Sequence, residues 1–392
     1  MTNMSRYYNV EDIRVAARRR LPAPIFHYLD GGAEDEWSLR NNVERFSHYS
    51  LLPQQMTGIT DIDMSADLLG VRTSMPLLLS PTGMSRLFHH HKEHAAAEAA
   101  AEANIMYGLS TLASSRIEDI AATSSGPKMF QIYIMRDREL TREFIARARD
   151  SGYQALCVTI DTAVGGNRER DLRTGMVMPP RFTTAGLASF IASPYWSLNY
   201  LRDRKFSIAN IEHRIKSLDD GAMSPVAFVN GQIDSNATWD DVAWLAREWN
   251  GPFVVKGVLT PEDSQRALAA GATAIMISNH GGRQLDHTAA PIDCVQPIRD
   301  AIGSGAQIIV DGGIRRGSSV VKAIALGADA CSIGRPYLYG LAAGGAPGVK
   351  RIIDIFRSEI NRTMILMGKG NLASLKSSDV QSLNDDSVTS RA

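Results

Sequence analysis

Residues 274–286 read AIMISNHGGRQLD, and residues 307–317 read QIIVDGGIRRG. Each begins with a short apolar run rich in isoleucine or valine and breaks at a polar residue followed within three positions by a pair of glycines. A strand apolar on both faces belongs to a parallel sheet covered by helices, not to a hairpin sheet with one wet face. The same signature recurs outward in both directions: 330–335 (ACSIGR) on one side, and 253–258 (FVVKGV), 155–161 (ALCVTID), 128–134 (KMFQIYI), 105–110 (IMYGLS) and 76–81 (PLLLSP) on the other. Helix-like stretches lie between them, among them the alanine-rich 91–104, 138–150, 261–271 and 317–327. Alternating strands and helices mark an α/β fold with parallel strands, and eight units predict a closed (β/α)8 TIM barrel over an open doubly wound sheet.

The spacing adds an insertion. The fourth and fifth strands start 98 residues apart, at 155 and 253, whereas the other steps are 21 to 33 residues. Residues 162–235 therefore form a long loop or lid at the C-terminal barrel face, where the βα loops build active sites. Residues 1–75 read as an N-terminal helical extension with helical stretches at 10–20 and 34–45. The barrel occupies 76–367 and ends in an amphipathic helix over 347–367; 368–392 is a tail, rich in Ser and Asp from Ser374 and expected to drape loosely.

Composition bounds the function. The 42 basic and 42 acidic residues leave no net charge, so no global basic field exists to hold nucleic acid. Cys157, Cys294 and Cys331 are far apart and form no CxxC, which excludes a disulfide scaffold and a zinc ribbon. They read as small buried apolar residues of a reducing compartment. No apolar run is long enough to span a membrane, and Arg18, Arg19 and Arg20 precede no apolar stretch of a signal peptide. The expectation is an intracellular enzyme.

Polar residues gather where strands end. After strand six, His280 abuts Gly281 and Gly282, with Arg283 three positions on: an arginine that can clamp a carboxylate beside a histidine that can take a proton. Asp161, ending strand four, is either a helix N-cap or a carboxylate that orients a histidine. Lys256, inside strand five, is either a solvated strand end or a buried cation needing an anion, such as an electron-rich cofactor across the barrel mouth. Asp311-Gly312-Gly313 with Arg315, and Gly334-Arg335, lie after strands seven and eight, where TIM barrels often hold a phosphate. His89, His90, His91 and His94 open the helix after strand one. Three consecutive imidazoles are not expected to share one face, so they read as a solvated helix start, and no metal site is expected.

With SNHGGRQLD (278–286), DGGIRRG (311–317), GRP (334–336), SPTG (80–83), FQIY (130–133) and YLDGGAEDE (28–36), the chain resembles the FMN-dependent L-2-hydroxy acid dehydrogenases and oxidases from about residue 8 to about residue 375. Through GGAEDE and VGGNRERDL (164–172) it looks most like the (S)-mandelate dehydrogenases among them. The resemblance implies that His280 is the active-site base, paired with Asp161. It implies that Arg283 and Arg168 bind the substrate carboxylate and that Tyr28 and Tyr133 contact its oxygens. Lys256 would sit near flavin N1, with Ser278 close by; Pro81, Thr82 and Gly83 would line the N5 side, and Ser110, Gln131 and Thr159 the ring edges. Asp311 would hold ribityl hydroxyls, and Gly313, Arg315, Gly334 and Arg335 would cradle the phosphate.

The chemistry agrees. Oxidising a 2-hydroxy acid needs a carboxylate clamp, a base and a two-electron sink that side chains cannot provide. No GxGxxG follows the first strand, which favours FMN over NAD. Whether the α-hydrogen leaves as hydride or proton, His280 must be basic. A different FMN barrel, such as an isomerase or nucleotide dehydrogenase, would need a substrate-phosphate site or a catalytic cysteine loop, and no cysteine is so placed. The expected reaction is (S)-mandelate to benzoylformate, with electrons passed to a quinone or other membrane acceptor; L-lactate dehydrogenase and an oxygen-using oxidase are the alternatives. Gly83 leaves room beside the flavin, as for an aryl substrate, whereas Leu112 is larger than a phenyl ring would want. Within 176–215, the stretch GLASFIASPYWSLNYL (186–201) precedes Arg202, Arg204 and Lys205. It reads either as a lid against the barrel or a second subunit, or as an interfacial membrane segment. The resemblance favours the latter, and with it a homotetramer peripheral on the cytoplasmic face of the cell membrane.

Overall fold

The structure, a computed structural model, describes residues 3–176, 181–204, 206–217, 229 and 231–383. Eight parallel strands close into a TIM barrel in sequence order: β1 (Leu77–Thr82), β2 (Met106–Ser110), β3 (Lys128–Ile132), β4 (Ala155–Thr159), β5 (Phe253–Val258), β6 (Ala274–Ser278), β7 (Gln307–Asp311) and β8 (Ala330–Ile333). All eight strands expected from the sequence are present, and each is buried along nearly its whole length.

The two-residue period of a strand explains both the core and the site. Leu78, Met106, Met129, Ala155, Cys157, Val254, Ala274, Met276, Ile309 and Ala330 form one apolar cluster inside the barrel. Leu68 and Leu69 join it from a hairpin of Ala66–Leu68 and Val71–Thr73, which plugs the bottom. One further inward step along each strand, or two on β2 where Gly108 intervenes, delivers a polar residue: Ser80, Ser110, Gln131, Thr159, Lys256, Ser278, Asp311 and Ser332, all buried. The alternate residues, such as Leu79, Phe130, Val158, Val255, Ile277 and Val310, pack outward against the helices in the main core.

The N-terminal extension reaches the barrel mouth through a helix that periodicity did not reveal. Val10–Arg20 is capped by Asn9, whose side chain accepts the Asp12 amide at 2.9 Å. Ala23–Asp30 follows at once, with proline in its first turn. Its last residue is pinned: Arg14 donates to both Asp30 oxygens at 2.6 and 2.9 Å, and Tyr339 Oη donates at 2.7 Å. Burial opposes the Asp30 charge, but Arg14 and Tyr339 hold its pKa down at about 2. This anchor sets Tyr28 over the barrel. The stretch at 34–45 is helical only over Trp37–Glu44, because Glu34 and Glu36 turn through positive φ.

At the other end, the long helix covers Ala346–Leu366, and a separate helix, Arg335–Gly344, precedes it, with Gly334 at its N-cap. The tail is less loose than expected. Val380–Ser382 pairs antiparallel with Tyr49–Leu51, while 384–392 lie outside the described residues. The insertion contributes Glu169–Thr174, Thr184–Ile191, Pro194–Arg202 and Glu212–Ser217. Residues 177–180 and Lys205 of its proposed membrane segment lie outside the described residues.

Candidate active site

A cavity of about 350 Å³ opens at the C-terminal mouth of the barrel. Tyr28, Pro81, Thr82, Gly83, Ser110, Tyr133, Arg168, Lys256, His280, Arg283, Asp311, Gly313, Arg315, Gly334 and Arg335 all line it. Asp161, Gln131, Thr159 and Ser278 do not, but each bonds directly or through one neighbour to a residue that does. Two chains of hydrogen bonds run around the polar belt. Ser110 donates to Gln131 and Gln131 to Thr159, each at 3.0 Å. Lys256 donates to Ser278 at 2.9 Å; Ser278 and Ser80 donate to the two oxygens of Asp311 at 2.8 and 3.0 Å.

Lys256 is not a solvated strand end. It is 4% exposed, and its ammonium lies 3.0 Å from Asp311 Oδ2, so the anion that burial demands comes from the protein. Burial opposes both charges, but each partner overcomes it: Lys256 is raised above the ordinary lysine range and Asp311 lowered below the carboxylate range.

Asp161 caps no helix. Its Oδ1 lies 3.0 Å from Nδ1 of His280, and its carbonyl accepts from the Gln284 side chain at 2.9 Å. The approach needs Gly257 on the intervening β5, which has φ +103° and where a Cβ would stand 2.8 Å from that of Asp161. Burial pushes the Asp161 carboxyl up, but the His280 ring and Lys256 more than offset this and hold it below the usual carboxylate range. A carboxylate only accepts, so Nδ1 of His280 carries a proton, and it is Nε2 that holds the lone pair in the neutral ring. The His280 amide donates to Ser278 Oγ at 3.0 Å, which supports the ring's unusual backbone at φ +58°.

Above this pair, Arg283 and Arg168 both lie over the Tyr28 ring, with guanidinium carbons 5.0 and 5.9 Å from its centroid. Arg283 donates to the Tyr28 and Gly31 carbonyls at 2.8 and 3.1 Å, and Arg168 lies 3.1 Å from Asp171. Burial and the nearby Arg168 lower the Arg283 pKa. Arg335 donates to the carbonyls of Leu29, Gly281 and Gly31 at 3.2, 2.9 and 2.7 Å. Burial and Arg283 bring its pKa down to about 10. Arg283 and Arg335 are thus held by carbonyls alone while Arg168 pairs with Asp171, and this concentration of positive charge favours anions.

Comparison with known proteins agrees with this chemistry. The sequence model of the FMN-dependent dehydrogenase family matches residues 17–382. The chain belongs to that family. It is 37% identical to glycolate oxidase 1 of Oryza sativa subsp. indica over 372 residues, 95% of each chain. It is 39% identical to a putative L-lactate dehydrogenase of Mycobacterium tuberculosis, covering 92% of this chain and 85% of the relative. The solved structure of the monotopic membrane protein (S)-mandelate dehydrogenase superposes with a TM-score of 0.91 at 35% identity, covering 96% of this chain and 100% of that one. The protein is therefore an FMN-dependent oxidoreductase of a small 2-hydroxy acid.

The residues present fit FMN. Ser332 Oγ is buried at the cavity wall without a hydrogen-bond partner in the protein, a polar group that a hydroxylated, phosphorylated cofactor would satisfy. Arg315 also lines the cavity and donates to the carbonyl of its neighbour Ile314 at 3.0 Å.

Two expectations change. Gly83 does not simply leave room: a Cβ there would stand 2.7 Å from that of Leu112, which already occupies the space. The three consecutive histidines do converge, each offering a ring nitrogen within 4.8 Å of the others. Positive φ at Lys92 breaks the chain out of helical phase just after them, so the helix-face argument does not apply. Sequence reasoning also missed Gln284, whose amide donates to the Asp161 and Val164 carbonyls at 2.9 and 2.8 Å and so fastens the loop after β4. It sits next to Arg283 in a motif already singled out, which is the signal that could have found it. Ile233, from the far end of the insertion, lines the cavity with no such signal.

Proposed function

We propose that this family member oxidises (S)-mandelate to benzoylformate and passes the electrons to a quinone-type acceptor at a membrane. The observation that carries the reaction is the His280–Asp161 pair, joined at 3.0 Å beneath two arginines that share the Tyr28 ring. FMN, when bound, supplies the two-electron acceptor. Arg168 and Arg283 bind the substrate carboxylate, and Tyr28 and Tyr133 orient its oxygens. Nε2 of His280 takes the proton that leaves as the 2-oxo acid forms, and Asp161 stabilises the resulting imidazolium. Pro81, Thr82, Gly83, Ser110, Gln131, Thr159, Lys256 and Ser278 would hold the flavin ring, Asp311 the ribityl chain, and Gly313, Arg315, Gly334 and Arg335 the phosphate.

The aryl substrate is supported by the apolar wall of Met84, Phe88, Leu112, Val164 and Ile233, and by the likeness to mandelate dehydrogenase. Leu112 packed against Gly83 favours the second reading, a small substrate such as L-lactate. Membrane contact is supported by two consecutive insertion helices that expose Leu187, Ile191, Leu198 and Leu201, with Arg202 and Arg204 exposed beside them. Trp196 does not join that face; its indole donates to the Leu87 carbonyl at 2.7 Å and docks the helix on the barrel. Among the described residues no helix is long and apolar enough to cross a membrane. A homotetramer, peripheral on the cytoplasmic face, completes the reading.

The test is anaerobic mixing of the yellow protein with (S)-mandelate, L-lactate or glycolate while the visible flavin band is followed. Fast bleaching by mandelate is expected; bleaching only by lactate or glycolate would replace the substrate, and none by any would remove the assignment of His280.

A further inference from the structure

The insertion returns to the barrel as a short ribbon beside the continuation of β3. The Asp234 amide donates to the Ile134 carbonyl at 2.9 Å and the Arg136 amide to the Gln232 carbonyl at 2.6 Å, so Ile233 stands opposite Met135 in an antiparallel bridge. Arg138 reaches both Asp234 and Asp241, at 2.8 and 2.7 Å, and ties the ribbon to the first turn of the helix Trp239–Trp249. The backbone of Ile233 is thus fixed from both sides.

Ile233 lines two cavities. One is the active-site cavity; the other, of about 390 Å³, lies between the loop after β4 and the helix Trp239–Trp249. Thr162 and Ala163 are the other residues common to both, so a single layer of residues parts the two spaces. Thr162 and Ala163 are small, which leaves Ile233 as the bulk of that partition. The walls of the second cavity include Ile134, Ile160, Ala237, Trp239 and Val242. Its carboxylates are Asp234, engaged by Arg138, and Asp263, 3.2 Å from Arg266; among the described residues no lysine, arginine or histidine lines it. Such a space suits an uncharged apolar chain and offers nothing to a second carboxylate.

We infer that Ile233 determines the length of substrate side chain that the enzyme accepts, and that the cavity behind it is a subsite for a neutral alkyl tail, closed by this one side chain. The inference rests on the reading above, in which Arg168 and Arg283 hold the carboxylate and His280 faces the hydroxyl. The substituent on carbon 2 is then left to the apolar wall that includes Ile233. Cutting Ile233 to alanine removes three carbons from the partition while the ribbon keeps the backbone in place, so the two cavities join at one known point. Medium-chain 2-hydroxy acids then place their distal methylenes against Ile134, Ile160 and Val242. A 2-hydroxy dicarboxylate gains nothing, because its second charge would enter a space that holds Asp234 and Asp263 and no cation.

The test compares substrates within each variant of the flavin-loaded full-length protein, so that a general loss of activity cancels. Each methylene moved from water into an apolar cavity is worth about fourfold, so in Ile233→Ala the kcat/KM for 2-hydroxyoctanoate relative to L-lactate should rise about tenfold or more. The ratio for 2-hydroxyglutarate should not rise. Ala237→Leu fills only the second cavity, and adding it to Ile233→Ala should return the 2-hydroxyoctanoate ratio toward the parent's. Octanoate has no hydroxyl to oxidise and reports binding alone: its Kd relative to that of acetate, read from the perturbed visible flavin band, should tighten about tenfold in Ile233→Ala. Ile233→Val removes one carbon, should move both ratios the same way by less, and serves if the alanine variant loses its flavin. Ratios in Ile233→Ala within about threefold of the parent's, less than one methylene's worth, would overturn the assignment. So would an equal rise for 2-hydroxyglutarate, or a gain that Ala237→Leu leaves intact. Failure of mandelate, lactate and glycolate alike to bleach the parent would strike the His280 reading instead, while the octanoate titration still decides the subsite.

Discussion

Nδ1 of His280 and Oδ1 of Asp161 meet at 3.0 Å although 119 residues separate them in the chain. They sit after β6 and β4, with β5 between, and the contact passes over Gly257, where any side chain would block it. The pair is thus made by three neighbouring strands, and the long insertion between them in sequence leaves it undisturbed.

Asp161→Asn should keep the shape and the yellow colour but lose turnover. An amide cannot stabilise the imidazolium and can reverse the ring's tautomer, so kcat should fall by about two to four orders of magnitude. Stopped-flow flavin reduction checks this, and a variant within threefold of the parent would separate Asp161 from the base.

The Lys256–Asp311 pair makes a stability prediction. Lys256→Met leaves the Asp311 carboxylate buried without its cation and should destabilise the protein by about 3–5 kcal/mol, and Lys256→Met combined with Asp311→Asn should recover part of it. The pH dependence follows from the direction of the shifts. Asp311 and Asp161 lie below their unfolded carboxylate value of 3.8, so their contribution is complete above that value and is lost as pH falls through the lower folded values. Melting temperatures should show the parent's advantage over Asp311→Asn shrinking as the pH drops below about 4; a constant gap would show that the carboxylate charge contributes nothing.

Where the site follows strand periodicity, the sequence reveals it. Ser80, Ser110, Gln131, Thr159, Lys256, Ser278 and Asp311 each sit in phase with an apolar inward residue two positions earlier, or four for Ser110, where Gly108 intervenes. A polar residue closing an apolar run is therefore the visible mark of the belt. Tyr28 is positioned by Asp30, Arg14 and Tyr339, contacts 16 and 309 residues apart that no local pattern announces. The histidine cluster misled for a related reason. Its geometry is set by a turn at Lys92 and by Asn199, 109 residues from His90.

The insertion predicts a separable membrane function. Ile191 is 86% exposed and Leu198 59%, so Ile191→Asp with Leu198→Asp alters surface without emptying a core. Such a variant should leave flavin content and bleaching by substrate unchanged yet fail to cosediment with vesicles containing anionic lipid. Equal cosedimentation of variant and parent would assign the exposed face to another surface contact.

Gly83 and Leu112 should behave as one unit in substrate choice. An alanine methyl at 83 would lie 2.7 Å from the Leu112 Cβ and 3.1 Å from the Leu112 carbonyl oxygen. The Met84 amide also donates to that oxygen at 2.9 Å, so the two segments cannot part freely. Gly83→Ala alone should therefore displace the loop and lower flavin retention and turnover. Leu112→Ala relieves no Cβ overlap, since alanine keeps that atom, but it empties the space beyond and should raise kcat/KM for mandelate relative to lactate. One methylene's worth of fit is about tenfold in such a pocket, and three carbons are removed, so a shift of at least tenfold is expected. Leu112→Gly with Gly83→Ala removes the Cβ that the new methyl would meet and should restore flavin retention. If the double variant is as impaired as Gly83→Ala, the carbonyl contact rather than the side chain sets the limit, and Leu112 does not govern the pocket through position 83.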